Sequence, residues 1–110
     1  MPDIPDYSPL TEAVYYILLS LYEPAHGYGI MQNVGQLSGG RVSLGPGTLY
    51  GALGALVDKG WINGVGSSAG ARKKDYIITD AGKLAVTFEI ARLEELLRNG
   101  RDIVGRDEVS

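Results

Sequence analysis

Apolar residues recur at helical spacing in four stretches of this chain, and they alternate at strand spacing between the third and the fourth. The third stretch, Leu44 to Gly60, shows the pattern most clearly. Its apolar stripe recurs at i, i+4, i+7 and i+8 and consists of Leu49, Leu53, Leu56 and Val57. Pro46 after Gly45 suits the first turn of a helix, and Gly60 is a typical C-terminal stop. The pattern therefore predicts a helix between Gly45 and Gly60.

The other side of this third helix is almost bare of side chains. It carries Gly47, Gly51, Gly54 and Asp58, with Thr48 and Tyr50 on its two flanks. Gly51 and Gly54 each cost about 1 kcal/mol relative to Ala in a helix interior. Something should compensate for that cost, either close approach to a DNA groove or close packing against another helix. A plain core helix that happens to contain glycines is the third interpretation.

A first helix is predicted from Ser8 and Pro9, which have the pattern of an N-cap and a first helical residue, to about Tyr22. Its main apolar stripe is Leu10, Val14, Ile17, Leu18 and Leu21, and a second stripe is Tyr15, Leu19 and Tyr22. A helix that is apolar on two sides must bury both. One side is expected to face its own domain, and the other side needs another partner.

A second helix is predicted from about His26 to Leu37, where Ser38, Gly39 and Gly40 stop it. Residues 42–44 alternate in the manner of one short strand before the third helix. Two helices joined by a glycine-rich turn, the second with a bare or polar face, match a helix-turn-helix.

A β-hairpin and a last helix complete the predicted fold. Residues 61–65 and 73–79 flank the small-residue segment 66–71, which is typical of a hairpin. Thr79 is expected to cap a helix that runs to about Asn99, with a frayed tail beyond it. The seam of this helix recurs at spacings of 4, 3 and 4 and consists of Val86, Ile90, Leu93 and Leu97. We expect residues 1–80 to form one domain and residues 81–110 a separate helix and tail.

The positive charge of the chain is concentrated in its middle. The net charge is −3, yet residues 41–83 hold six basic and three acidic residues. Such a local footprint matters more for DNA binding than the total charge. Arg72, Lys73 and Lys74 lie beside the glycine-rich hairpin tip and are expected to contact phosphates. The alternative is a solvated charged turn.

Composition bounds the class of protein. The chain has no cysteine, no N-terminal secretion signal and no apolar run near the roughly 20 residues that span a bilayer, so a cytoplasmic location without membrane contact is expected. Its single histidine, His26, is expected to be structural and to bond the backbone at the start of the second helix. Trp61 is expected in the core or an interface. No metal-ligand spacing is present, and the motif GPGTLY lacks the lysine of a phosphate-binding loop, so we expect no metal, no cofactor and no enzyme activity.

The segment GPGTLYGAL, with HGYGI before it and RKKDYIIT after it, resembles the PadR family of bacterial transcriptional regulators. The resemblance covers roughly residues 9–98. It implies a mainly α winged helix-turn-helix, with three helices and a β-hairpin wing, followed by a C-terminal dimerisation helix. It also implies a homodimer that binds a palindromic double-stranded DNA operator, acts as a repressor and is released by a small aromatic or apolar effector.

The resemblance and the patterns together assign three sets of residues. The predicted DNA-binding residues are Tyr28, Ser43, Gly47, Thr48, Tyr50, Arg72, Lys73 and Lys74. The predicted effector pocket consists of Tyr15, Leu19 and Phe88. The predicted dimer interface consists of Tyr15, Leu19, Tyr22, Val86, Ile90, Leu93 and Leu97.

One departure from the family shapes the expected recognition. Relatives often place a Lys or Arg near position 54, where this chain has Gly54. Modest base specificity and a larger share of shape readout are therefore expected. The alternative function is a protein-interaction module that keeps the winged-helix shape without DNA affinity, which the glycine-rich face and the overall acidity favour.

Overall fold

A computed structural model describes residues 8–66 and 74–109. Its elements in chain order are α1 (Glu12–Ser20), α2 (Gly27–Leu37), α3 (Pro46–Asp58), β1 (Ile62–Gly66), β2 (Lys74–Ile78) and α4 (Asp80–Val109). Three helices, an antiparallel hairpin and a long C-terminal helix are the predicted winged-helix architecture, and this fold class is confirmed.

The core lies between α1, α2, α3, the base of the hairpin and the start of α4. Leu49, Leu53 and Leu56 of the predicted α3 stripe are buried, whereas Val57 is exposed. Trp61 belongs to the core, as expected. The full core cluster is Ile17, Leu18, Leu21, Ile30, Val34, Leu49, Leu53, Leu56, Trp61, Ile62, Ile78, Ala85 and Val86. The core therefore holds one side of α3 and leaves the other side to solvent.

The hairpin is joined to the helix-turn-helix through Ala25, in the segment between α1 and α2. The backbone of Ala25 exchanges two hydrogen bonds with Tyr76 of β2, at 3.1 and 2.8 Å. The predicted strand at residues 42–44 is wrong, because these residues form no ladder. Instead the Ser38 hydroxyl accepts a 3.0 Å hydrogen bond from the Val42 N–H, which holds this segment in a turn after α2.

Two helix ends differ from the prediction. Helix α1 begins at Glu12 rather than near Pro9, because the Thr11 hydroxyl accepts the Val14 N–H at 3.1 Å and Thr11 is the N-cap. Helix α4 continues past Asn99 to Val109. No proline interrupts this extension, and its Asp102 and Arg106 have the favourable i, i+4 order of an acid before a base. Within the described residues, no helix has the combination of length and apolar character needed to cross a membrane.

Helix α4 starts against the base of the hairpin. The Thr79 hydroxyl accepts the Gly82 N–H at 3.1 Å and donates to the Gly60 carbonyl at 2.6 Å, which confirms the predicted cap. A Cβ atom at Gly82 would lie 2.7 Å from Ile78 Cγ1 and 3.1 Å from the Trp61 carbonyl carbon. Only glycine therefore lets the first turn of α4 approach the hairpin this closely.

Candidate nucleic-acid interface

The bare side of α3 faces open space. A Cβ atom added at Gly47, Gly51 or Gly54 would meet no atom of the described chain within 4 Å. Close packing against another helix of the same chain is therefore not the reason for these glycines. The helix contains no Lys or Arg and a single acid, Asp58. This surface is open and bare, and it carries no positive charge of its own.

The predicted base-contacting and phosphate-contacting side chains around α3 are all exposed. Thr48 lies in the first turn of α3, and Ser43 lies in the segment that leads into it. Tyr50 is 53% exposed and Tyr28, in the first turn of α2, is 63% exposed. The Tyr28 hydroxyl accepts a hydrogen bond from Gln32 Nε2 at 3.3 Å. Each of these groups is accessible to a partner.

The Tyr50 side chain makes a contact within the chain, so only part of it is available to DNA bases. Its ring lies over Gly27, the first residue of α2, with Cζ 2.9 Å from the position that a Cβ atom would take there. Sequence patterns gave no sign of this contact, because residues 27 and 50 are far apart in the chain. Tyr50 thus joins α3 to α2 while its remaining surface faces solvent.

The wing is described only in part. Arg72 and Lys73 lie outside the described residues. Lys74 is exposed at the start of β2, but its side chain runs back across β1, where Nζ would be 3.0 Å from a Cβ at Gly64. Its Nζ also lies 5.7 Å from the centre of the Tyr76 ring. This position directs Lys74 along the hairpin.

Every cation in described residues 8–66 and 74–83 has a partner. Arg41 forms an ion pair with Glu12. The Lys59 ammonium group lies 4.6 Å from the centre of a Trp61 ring, and that of Lys83 lies 5.5 Å from the Tyr22 ring centre. Lys74 lies against Tyr76 in the same way. The electron-rich face of an aromatic ring attracts a cation above it, so the positive charge of these lysines is partly balanced within the protein.

His26 faces the hairpin rather than the backbone of α2. It is the N-cap residue of α2, yet its side chain makes no capping hydrogen bond, which corrects the expected backbone contact. Its Nδ1 lies 4.0 Å from Asp75 Oδ1 of β2. This pair adds to the links between the helices and the wing, beside the Ala25 bridge and the 2.9 Å hydrogen bond from the Ile78 N–H to the Leu21 carbonyl.

A cavity of about 270 Å³ lies between the start of α1 and α4. It is lined by Leu10, Glu12, Tyr15, Tyr16, Glu89, Arg92 and Leu93. Of the predicted pocket residues only Tyr15 lines it. Leu19 packs on the core, and Phe88 is 47% exposed elsewhere on α4. Adjacent helical residues point about 100° apart, so Phe88 turns away when Glu89 faces the cavity.

An ion pair between buried Glu89 and partly exposed Arg92 forms one wall of this cavity. Glu89 is 5% exposed and accepts hydrogen bonds from Arg92 Nε at 2.9 Å and Nη2 at 2.6 Å. It also accepts the Leu10 N–H at 3.4 Å. The hydrogen bonds from Arg92 are the main cause that lowers the pKa of the Glu89 carboxyl, and the hydrogen bond from the Leu10 N–H adds to it. Burial acts in the opposite direction but does not cancel them. Burial, with neighbouring Tyr16 and Glu89, raises the pKa of Tyr15. Glu89 was not among the predicted site residues, although its i, i+3 spacing from Arg92 was a usable signal.

Glu89 should make the stability of the fold depend on acid pH. Its pKa in the folded chain lies below the ordinary value, so ionised Glu89 stabilises the fold above that ordinary value. This contribution is lost as the pH falls through the lowered pKa. Glu89→Gln should unfold more easily at neutral pH, by about 1 kcal/mol because the Arg92 side chain is partly exposed.

Urea unfolding between neutral pH and pH 3 checks this expectation. The gap between the parent and Glu89→Gln should close as the pH falls. Glu94→Gln, at an exposed position of the same helix, is the control and should follow the parent. A gap that stays constant across this range would rule out the proposed titration of Glu89.

The apolar seam of α4 divides into a buried and an exposed part. Val86 is 2% exposed and belongs to the core of its own chain, so it cannot face a partner, which corrects its place in the predicted interface. Ile90 is 41% exposed, Leu93 40% and Leu97 54%. Tyr22 of the second α1 stripe is also exposed, whereas Tyr15 and Leu19 are half-buried. The extension adds two further exposed apolar residues, Ile103 and Val104.

Comparison with known proteins agrees with this geometry. The family model described as the transcriptional regulator PadR-like family matches residues 16–87. RosR from H. salinarum is 25% identical with a TM-score of 0.68, and the match covers 94% of this chain and 98% of RosR. A PadR-like transcription factor from Bacteroides fragilis is 28% identical with a TM-score of 0.64, over 83% of this chain and 87% of that one.

A putative transcriptional regulator, TA0346 from Thermoplasma acidophilum, is 26% identical with a TM-score of 0.65, over 86% of this chain and 90% of its own. No curated protein matches the chain. The winged-helix geometry, the open face of α3 and the match over residues 16–87 agree with one another. The chain therefore belongs to the PadR-like family of transcriptional regulators, which are not enzymes.

Proposed function

We propose that this regulator acts in the cytoplasm as a homodimeric repressor that binds a palindromic DNA operator and is released by a small aromatic or apolar effector. The observation that carries the DNA-binding part is the open face of α3. This face has no neighbour within 4 Å at Gly47, Gly51 or Gly54, although each interior glycine weakens the helix. A DNA groove is the partner that a bare helix face fits, because the major groove admits an α-helix.

The proposed affinity and the proposed specificity come from different parts of the fold. The described cations of the winged helix are held by Glu12 or by aromatic rings. Phosphate contacts would then come mainly from Arg72 and Lys73, with Lys74 contributing less. Thr48 and the exposed edge of Tyr50 would meet base edges, and groove shape would add to the readout.

The proposed dimer uses the side of α4 that continues beyond its own core. The same side packs on the core through Val86 and carries exposed Ile90, Leu93 and Leu97 further along. Exposed apolar patches of this kind are uncommon on monomers. We infer that α4 of one protomer covers Tyr15, Leu19 and Tyr22 of its partner. A two-fold contact of this kind would set the recognition helices about 34 Å apart, one turn of DNA.

The proposed effector site is the cavity beside the dimer surface. Tyr15 and Tyr16 offer aromatic walls with ring centres 5.8 Å apart, and Leu10 and Leu93 offer apolar ones. A volume of about 270 Å³ suits a small ligand. Leu93 lines the cavity and is also a member of the exposed seam. A ligand there would therefore press on the proposed dimer contact, which is how release of DNA would follow.

A protein-interaction module without DNA affinity is the second candidate. The absence of Lys and Arg from α3 and the pairing of the described cations favour it. The two candidates differ in their response to salt. DNA binding through phosphates weakens steeply as salt rises, because counterions are released from the DNA. Measuring binding of the parent chain to duplex DNA at several salt concentrations separates them.

Removing the wing cations should flatten that salt dependence. The probe is the duplex that the parent chain enriches most from a random-sequence library. For every phosphate that the protein no longer neutralises, the slope of log affinity against log salt should become shallower by about 0.9. Replacing Arg72, Lys73 and Lys74 with Ala should weaken binding to selected and random duplexes alike.

Arg101→Ala, which removes one cation from exposed α4, is the control and should leave the slope unchanged. A triple variant with the parent's slope would show that the wing does not bind phosphates. A parent chain that binds no duplex at low salt would favour the interaction module.

A further inference from the structure

We propose that Gly27 is a positioning residue for the recognition helix. Because Gly27 has no side chain, the Tyr50 ring lies directly against its backbone, a contact that we call the Gly27–Tyr50 contact. This contact sets the separation of α2 and α3. The proposal rests on the DNA-binding function proposed above. It assigns to the first residue of α2 a role in the pose of α3, although Gly27 is buried and presents no side chain to DNA.

The contact leaves no room for a side chain. A Cβ atom at Gly27 would lie 2.9 Å from Tyr50 Cζ and 3.4 Å from Cε1, and it would overlap the hydroxyl oxygen. The Tyr50 ring is flat and half exposed, so it can move aside only as a unit, by rotation about χ1 and χ2. Either the ring must leave its position or the two helices must separate.

Tyr50 is placed where a small shift would alter the DNA-facing surface. It lies between Leu49, which is fully buried, and Gly51, which faces open space. Leu49 and Leu53 hold the stripe of α3 in a close-packed core. A Cβ at Gly27 would therefore either swing the Tyr50 ring off α2, which removes its link to α3, or tilt the first half of the helix. That half carries Gly47 and Thr48, which are proposed to meet the DNA.

The chain offers a matched control two residues away. Gly29 lies in the same first turn of α2, and its Cβ would meet only His26 and Ala25, with His26 Cε1 at 3.8 Å and Ala25 Cβ at 3.9 Å. These are ordinary van der Waals contacts. Gly→Ala at either position gives a similar gain in helix propensity. The difference between Gly27→Ala and Gly29→Ala therefore isolates the contact with Tyr50.

The first measurement needs no DNA. Urea midpoints are compared for Gly27→Ala and Gly29→Ala, each with Tyr50 present and in a Tyr50→Leu background. With Tyr50 present, Gly27→Ala should have a lower midpoint than Gly29→Ala. In the Tyr50→Leu background the two should coincide, because the ring that a Cβ would meet is gone. Equal midpoints with Tyr50 present would show that the Tyr50 ring does not exclude a side chain at Gly27.

The second measurement tests the positioning role. For the duplex that the parent enriches most, Gly27→Ala should bind about tenfold more weakly than Gly29→Ala at a temperature where both are folded, since overpacking of this size displaces neighbouring groups. Binding to random duplexes should differ much less. In the Tyr50→Leu background, the two variants should bind equally. Equal affinities with Tyr50 present would overturn the positioning role.

The two measurements also separate this inference from the proposed function. If the parent enriches no duplex, the proposed function and the positioning role both fail, while the urea midpoints still decide whether Tyr50 rests on Gly27. If the parent binds DNA and the difference between Gly27→Ala and Gly29→Ala does not depend on Tyr50, the proposed function stands and the proposed contact between Gly27 and Tyr50 is wrong.

Discussion

Replacing Leu93 with Asp should yield a monomer, or an unstable chain, that no longer binds its operator. In the proposed dimer Leu93 is covered by the partner, and each fully buried Leu or Ile contributes about 1.5–3 kcal/mol. The substitution removes that gain and places an unpaired charge in the interface. Since Leu93 also lines the cavity beside α1, the effector response should be lost together with the dimer.

Sedimentation of the variant at tens of micromolar, with circular dichroism to check the fold, measures this outcome. Ala91→Asp is the control, because a residue two positions earlier on a helix points about 200° away from Leu93. Ala91 is exposed, and its variant should stay dimeric and bind DNA. Both variants behaving alike, or a parent chain that is already monomeric, would leave the apolar face of α4 without its proposed role.

Replacing Gly51 with Glu should strongly weaken DNA binding while stabilising the fold. A Cβ at Gly51 meets nothing within 4 Å, so the new side chain has room within the chain. Loss of glycine from the helix interior should add up to about 1 kcal/mol to the free energy of unfolding. On DNA, the added bulk would clash with the groove and the carboxylate would repel the phosphates. Affinity should therefore fall by more than about tenfold, which corresponds to 1.4 kcal/mol.

Gly51→Lys is the matched control, with a side chain of comparable length and the opposite charge. It should gain similar stability, lose selectivity for the enriched duplex and keep binding to random DNA through its charge. Gel shifts on selected and random duplexes, with thermal unfolding of each variant, measure these effects. A Gly51→Glu variant that binds as tightly as the parent would show that the bare side of α3 does not meet DNA.

The parts of the fold that follow from short-range signals were predictable. Gly45 and Pro46 mark the start of α3, and Gly60, with a φ of +76°, marks its end. The stripe of Leu49, Leu53 and Leu56 is buried as its spacing predicts. The start of α1 was also within reach, since Thr11 followed by Glu12 is itself an N-cap signal.

The parts that depend on contacts between distant residues were not predictable. Nothing near Ala25 indicates that it pairs with Tyr76, and nothing near Gly27 indicates that Tyr50 rests on it. Val86 has the spacing of a seam residue, and only the packing of α4 against α1 and β2 makes it a core residue. The end of α4 was missed because glycine alone, as at Gly100, weakens a helix without stopping it.

Selection of duplexes from a random-sequence library by the parent chain tests the central claim most directly. A dimeric regulator that reads DNA with α3 should enrich an inverted repeat whose half-site centres lie about 10 base pairs apart, one turn of the duplex. Enrichment of a single unpaired half-site would contradict the dimer, and no enrichment over the starting library would contradict the DNA-binding function itself.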